Sequence, residues 1–311
     1  MCAAPTCART PRPVIIGREA DLQFEPGVRV GKYRLIAPIG RGGMGGVWQV
    51  EDDAGRDFAL KSPAMGFEHD AELNRRFARE ANALRLLDHP NLVAAVDVFV
   101  EAGRLFLVME RVTGRTLGKA MATGAFAPRS ALVLGRQIVE GLGHAHAHGF
   151  VHRDLKPDNI MLIDMGGWER AKVIDFGLVK LLGDAEAALG GGKLTRTGTV
   201  SGTPAYMAPE QALGRIVDAR ADLYAVGVML FELLTSRLPF THADPAMLMR
   251  MHIKAPPPRL DTLAGTQAWC TPPLISLIDT ALAKDPARRF PSAAAMRAAL
   301  DDAFRSLDDV S

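Results

Sequence analysis

Residues 39–47, Ile-Gly-Arg-Gly-Gly-Met-Gly-Gly-Val, contain the spacing G-x-G-x-x-G-x-V, with Gly40, Gly42 and Gly45 in register and Val47 closing it. Glycine lets a backbone fold closely over phosphate oxygens with its N–H groups turned toward them. The element directly after the glycines decides the architecture. A dinucleotide crossover needs a helix there. In this chain residues 47–50 read as a strand, 52–55 as a turn and 58–61 as a second strand. The pattern is a hairpin that could cover a nucleotide, and it excludes a doubly wound dinucleotide fold. A glycine-rich hairpin turn with no ligand has the same look, so the stretch counts only with its companions.

The companions lie downstream, in order. Residues 152–159 read HRDLKPDN. Asp154 can orient a hydroxyl nucleophile and take its proton, Lys156 can neutralise charge on a moving phosphoryl group, and Asn159 can hold a magnesium ion. Taken alone, the octapeptide would serve as a polar helix-to-strand connection. Lys61 ends an otherwise apolar strand, either as an edge lysine that snorkels or as a clamp on phosphates held by a helix carboxylate. Such a helix is predicted over residues 72–87, where Leu73, Phe77, Ala81 and Leu84 recur at helical spacing and Glu80 is carried along. Asp175, after the short strand read over residues 172–174, either starts a turn or supplies a second metal ligand.

The remaining elements fill in around these. Residues 91–99 and 104–109 read as strands. The connector after them, Met109-Glu110-Arg111-Val112, would offer the Glu110 carbonyl and the Val112 N–H to an adenine edge. A long helix is predicted over residues 128–148, opened by Pro128 and closed by Gly149. His144, His146 and His148 suggest a metal, but only His144 and His148 share a face and no carboxylate or cysteine joins them. His146 is read as packing and hydrogen-bonding inside the lobe. Residues 160–163 and 172–174 read as a strand pair around a Gly-Gly loop. A Gly/Thr-rich segment of mobile composition then runs to GTPAYMAPE, ending at Glu210. Residues 219–235 form the most buried-looking helix. Asp222 near its start needs partners, and backbone N–H groups of the 152–159 loop are the candidates. Residues 274–282 and 291–307 close the chain as helices, with Arg289 placed to pair with Glu210. There is no internal repeat.

Length and charge bound the rest. The 311 residues allow two lobes, each with a core, and 37 basic against 35 acidic residues give a net charge of +2. That balance makes no case for nucleic acid or an anionic membrane as the main partner. Cys2, Cys7 and Cys270 have no metal-ligand spacing and suggest a reducing compartment. The most apolar run, residues 221–234, is too short for a membrane span and contains Asp222 and Glu232. No secretory signal is expected from the first thirty residues, and a cytoplasmic location is the corresponding expectation. Residues 1–31 are read as a flexible extension with little packing power.

Together GRGGMGGV, FALK, Glu80, HRDLKPDN, DFG, GTPAYMAPE, DLYAVG and Arg289 resemble the protein serine/threonine kinases over about residues 33–308. The GGMG tip and the PEQALG continuation are most similar to the bacterial kinases of eukaryotic type. The resemblance implies an α+β, bilobal fold. Its small lobe, residues 32–110, would hold an antiparallel sheet and one main helix. Its larger, mainly helical lobe would span residues 111–308, with ATP and magnesium (or manganese) between the two. It implies a spine including Leu84, His152 and Phe176, and an adenine site enclosed by Val47, Ala59 and Met161 beside Met109 and the hinge. Lys156 matches the serine/threonine branch, and Thr203 matches a threonine that binds both Asp154 and Lys156. Two departures are Gly46, where a larger residue is common and the tip would grip ATP less, and Thr116, where arginine-directed relatives carry an acid. Asp158 would still favour one positive residue in a substrate.

The implied activity is ATP-dependent phosphorylation of Ser/Thr in proteins, with autophosphorylation through a transient homodimer. Arg153, Lys180 and Arg76 would form a basic pocket that awaits a phosphate on Thr195 or Thr197. A catalytically dead scaffold of the same fold would usually lack Lys61, Asp154, Asn159 or Asp175, and none is missing. A small-molecule phosphotransferase would not be expected to carry Thr203 with the APE segment and Arg289.

Overall fold

Alternating apolar residues build a six-stranded antiparallel sheet in the order β1-β2-β3-β4-β6-β5. Its strands are β1 (Arg29–Val30), β2 (Tyr33–Gly42), β3 (Gly45–Glu51), β4 (Asp57–Lys61), β5 (Ala95–Glu101) and β6 (Arg104–Glu110). The structure, a computed structural model, describes residues 24–42, 45–61, 83–102, 104–175, 204–264 and 267–308. The two-residue period splits the sheet's side chains between two cores. Val30, Tyr33, Leu35, Trp48, Val50, Leu60, Phe106 and Val108 form one. Ala59, Leu107 and Met109, at the alternate positions, join the main core of the chain.

Three stretches differ from expectation. Residues 24–31, assigned to the N-terminal extension, pack against the sheet or, at Arg29–Val30, join it. Val30 is fully buried, β1 pairs with β2, and the Phe24 ring lies 6.2 Å from those of Trp48 and Phe106. Three apolar residues at a sheet edge, Phe24, Val28 and Val30, supply a packing power that composition alone conceals. The strand expected from residue 91 begins at Ala95, because residues 91–93 bond to the other lobe instead: Val173 N–H donates to Asn91 O at 2.8 Å and Val93 N–H to Val173 O at 2.9 Å. Of the helix expected over 72–87, residues 72–82 lie outside the described residues. Its end, Leu84–Leu86, is a single 3₁₀ turn.

The larger lobe is mainly helical. It contains α1 (Leu117–Met121), α2 (Pro128–Ala147), α3 (Pro209–Ala212), α4 (Arg220–Thr235), α5 (Pro245–Lys254), α6 (Leu260–Ala264), α7 (Pro272–Ala281) and α8 (Ala293–Ser306). A three-stranded sheet of β7 (Arg115–Thr116), β8 (Ile160–Asp164) and β9 (Glu169–Val173) lies at its cleft side. Pro128 opens α2 without forfeiting a hydrogen bond, and Gly149 ends it in the left-handed region at φ +80°. Helix α4 is buried at every position from Ala221 to Phe231, so it forms the axis of the lobe rather than a covering layer. The link between lobes passes tightly over β8: a Cβ on Gly114 would lie 2.2 Å from the Leu162 carbonyl oxygen, so only glycine fits.

Candidate active site

The 152–159 loop is anchored from below by one carboxylate. Asp222, 1% exposed, accepts the backbone N–H of His152 at 2.8 Å and that of Arg153 at 2.9 Å. His146 Nε2 donates to the same carboxylate at 2.8 Å. Burial alone would raise the Asp222 pKa. The His146 hydrogen bond and charge, His152 and the His152 amide outweigh it and hold the carboxyl below its ordinary value. The chain reaches this anchor through a strained turn, since Arg153 sits in the left-handed region at φ +65°. Its backbone is gripped on both sides, by Asp222 at the N–H and by the Gln211 amide, which donates to the Arg153 carbonyl at 2.7 Å.

Two residues then tie the loop to the strand that ends at Asp175. The His152 ring accepts the Asp154 N–H on Nδ1 at 3.3 Å and donates from Nε2 to the Ile174 carbonyl at 3.0 Å. Asn159 donates from Nδ2 to the Asp154 carbonyl at 2.8 Å, and its own carbonyl accepts the Ile174 N–H at 2.9 Å. The two bridges set Asp154 and Asp175 at a fixed separation. Lys156 Nζ donates to Asp154 Oδ2 at 3.0 Å. Lys61, buried at the end of β4, makes an ion pair with Asp175 Oδ1, and Asp175 also takes a left-handed backbone, φ +63°. Lys61, Asp175, Asn159, Asp154 and Lys156 thus form one connected series across the lobe boundary.

That series suits a magnesium nucleotide by its donor chemistry. Magnesium takes hard oxygen ligands, commonly one or two carboxylates completed by phosphate and water. Asp175 offers a carboxylate, and the Asn159 side chain, with Nδ2 engaged, offers its Oδ1. Lys61→Met is expected to lower kcat on the order of 10²–10³-fold with little change in melting temperature, because the phosphate clamp expected of Lys61 is lost from a site where methionine fills the same space. An unaltered rate at saturating ATP would remove Lys61 from the site.

Above the series, strand register gathers the residues expected around adenine. Val47 is the Cα partner of Lys61 and Ala59 of Met109, so Val47, Ala59, Lys61 and Met109 leave the sheet on one face. Gly40 pairs with Val47 and Gly42 with Gly45 at the hairpin end, while residues 43 and 44 lie outside the described residues. Met161 sits on β8, and Glu110 ends β6 with Val112 two residues on, past the last strand residue. Thr116 caps α1, accepting the Lys119 N–H at 3.2 Å.

At the far side of the loop, Glu210 and Arg289 meet in a buried two-pronged pair at 2.7 and 2.8 Å. The remaining Arg289 N–H groups reach the carbonyls of Ala283, Arg220 and Lys284, and its guanidinium lies 4.8 Å from the Tyr224 ring centroid. Tyr206 donates to Glu232 at 2.5 Å; burial first, then that hydrogen bond, pushes the Tyr206 pKa up. Glu80, Arg76, Phe176, Lys180, Thr195, Thr197 and Thr203 lie outside the described residues. His146 packs and hydrogen-bonds inside the lobe as expected, whereas the contact made here by Gln211 has no signature in the sequence.

No helix among the described residues is long and apolar enough to cross a membrane, and no group of three or more His, Cys, Asp or Glu among them could hold a metal by itself. Residues 33–300 match the family described as protein kinase domain. The chain is 41% identical over 305 residues to the serine/threonine-protein kinase Pkn1 of Myxococcus xanthus, covering 97% of this chain and 41% of that protein. It is 37% identical over 279 residues to the serine/threonine-protein kinase PrkC of Bacillus subtilis, covering 88% of this chain and 41% of that protein. The chain therefore spans about two fifths of the length of these curated relatives. The crystal structure of the Mycobacterium tuberculosis PknI kinase domain (C20A mutant) is similar with a TM-score of 0.69 at 26% identity, over 91% of this chain and 99% of that one.

Proposed function

Because this chain belongs to the protein kinase family, we propose that it transfers the γ-phosphoryl group of ATP to serine and threonine hydroxyls of proteins. The observation that carries this is the pair of bridges, His152 and Asn159, that fix Asp154 relative to Asp175. Phosphoryl transfer asks little covalent chemistry of a protein and depends on positioning and charge. Asp154 orients the substrate hydroxyl and accepts its proton. Lys156, hydrogen-bonded to Asp154, offsets charge on the phosphoryl group in flight. Lys61 holds the phosphates, and Asp175 with Asn159 would hold a magnesium ion. The bound metal supplies electrostatic neutralisation of the phosphate oxygens. Met109, Ala59, Val47 and Met161 would enclose the adenine, with backbone groups of Glu110 and Val112 at its edge.

A reducing cytoplasm is the setting that the cysteine usage supports, with protein substrates and a transient second copy as partners. Incubation of the purified chain with ATP, magnesium and a generic protein substrate tests the reading. Phosphoserine and phosphothreonine are the expected products, and a chain that binds ATP without transferring phosphate would be a scaffold instead. A regulatory step is suggested by the threonines at 195 and 197: a phosphate on either would carry roughly −2 charge to Arg153, which directly precedes the catalytic carboxylate. The Thr195→Ala/Thr197→Ala double variant is expected to lose most activity. Mass spectrometry of active protein with neither threonine phosphorylated, together with a double variant at full rate, would rule the step out.

A further inference from the structure

The backbone of Glu110 is proposed to meet the adenine edge, and its side chain makes a separate contact that crosses between the lobes. Glu110 Oε1 accepts the Ala94 N–H at 2.9 Å, doubling the backbone bond from Glu110 N–H to Ala94 O at 3.0 Å. The same oxygen accepts from Lys172 Nζ in an ion pair. Lys172 belongs to β9, in the other sheet. Its neighbours Ala171 and Val173 are fully buried in the core, so Lys172 leaves the strand on the opposite face. It is the Cα partner of Met161, and the two side chains share that face. Its side chain is 12% exposed, too sheltered for an ammonium that lacks a counter-charge. Asp175 comes three residues later, and residues 91–93 bond to Val173 in between. A short length of chain therefore carries a cation fastened to the hinge at one end and the candidate metal ligand at the other.

We infer that Lys172 is a positioning residue for the nucleotide: by holding Glu110, it sets the height of the hinge over Met161 and the span from the hinge to Asp175. The inference rests on the kinase reading of the site. It assigns a nucleotide-binding role to a side chain outside the phosphate-handling series, reached from the adenine side. Without the ammonium, the Glu110 carboxylate keeps only the Ala94 N–H, and the hinge is free to drift from the floor formed by β8. The loss falls on binding, because Asp154, Lys156 and Asn159 are held by contacts that do not include Lys172.

The test is fluorescence titration with magnesium and methylanthraniloyl-ADP, together with kcat at saturating ATP, on four proteins: wild type, Lys172→Met, Lys172→Arg and Lys172→Met/Glu110→Gln. Lys172→Met is expected to weaken nucleotide binding about ten-fold while kcat falls far less. Lys172→Arg, which keeps the charge, restores most of the affinity. The double variant binds no more weakly than Lys172→Met, since the two residues act as one unit. Unchanged affinity in Lys172→Met, an equal loss in kcat, or a double variant that binds more weakly than Lys172→Met would overturn the inference while leaving the kinase reading intact. A wild-type chain that binds no nucleotide would overturn both.

Discussion

Asp154→Asn is expected to lower kcat on the order of 10³-fold or more while the protein folds and binds ATP as before. The substitution is nearly isosteric, and the contacts that hold residue 154 are made by its backbone: the N–H to His152 and the carbonyl to Asn159. The loop therefore keeps its path. What disappears is a base for the hydroxyl proton and the charge that Lys156 faces at 3.0 Å. The measurements are steady-state rates on a protein substrate and nucleotide affinity by titration. Near-normal turnover would show that another group takes the proton. A loss of affinity as large as the loss of rate would mean that Asp154 acts on ATP rather than on the acceptor.

Arg289→Ala is expected to be the most destabilising single change, costing about 3–5 kcal/mol. The Arg289 side chain is fully buried and that of Glu210 nearly so. The guanidinium spends its N–H groups on both Glu210 oxygens and three carbonyls, from Ala283, Arg220 and Lys284. Truncation leaves an anion and several acceptors buried without a cation, and it removes the group stacked on Tyr224. Urea unfolding monitored by far-UV circular dichroism gives the change directly. A midpoint within error of wild type would mean that the pair is open to solvent. The folded fraction should retain ordinary affinity for nucleotide, because Arg289 makes no contact with the Lys61–Lys156 series.

Much of the fold can be read from local patterns. Period-two alternation identifies β3, β4 and β6, and the helical stripes with a proline start and a glycine stop bound α2 closely. The buried run after residue 219 identifies α4. The parts that cannot be read depend on distant partners. Residues 91–94 have strand-like composition, but whether they extend β5 or bond to Val173 depends on where β9 arrives, eighty residues later. Phe24 and Val28 look like isolated apolar residues in a polar tail until the sheet edge they cover is built. Helix α5 is absent from the expectations above although its start signal is present: Asp244 caps it, accepting the Ala246 N–H at 2.9 Å, with Pro245 next in the chain.

The candidate site divides the same way. Residues proposed for the chemistry stand inside compact motifs and can be named. Of the residues that hold others, Asp222 and the Glu210–Arg289 pair can be named as well, but Gln211 and Lys172 cannot, since a Gln or a strand Lys has many ordinary uses. Gln211 reaches the Arg153 carbonyl only because the backbone there turns left-handed. Lys172 sits at a position where a snorkelling side chain would look the same. The helical pattern puts His146 inside the lobe, but nothing in it points to a carboxylate partner seventy-six residues away.

Asp222 has a consequence for how the large lobe is assembled. A helix that is apolar on every side, as α4 is, can satisfy its neighbours about equally well at several rotations around its own axis, because oily contacts carry little angular information. The one fully buried charge on it, Asp222, removes that degeneracy. Turning α4 by a single residue, about 100°, would swing the carboxylate away from two main-chain amides and an imidazole, leaving every one of them dry and unmatched. The helix is thereby indexed like a keyed shaft, and its keyway is the backbone of the 152–159 loop. Correct assembly of the lobe's interior and correct shaping of the loop proposed for the chemistry are the same event.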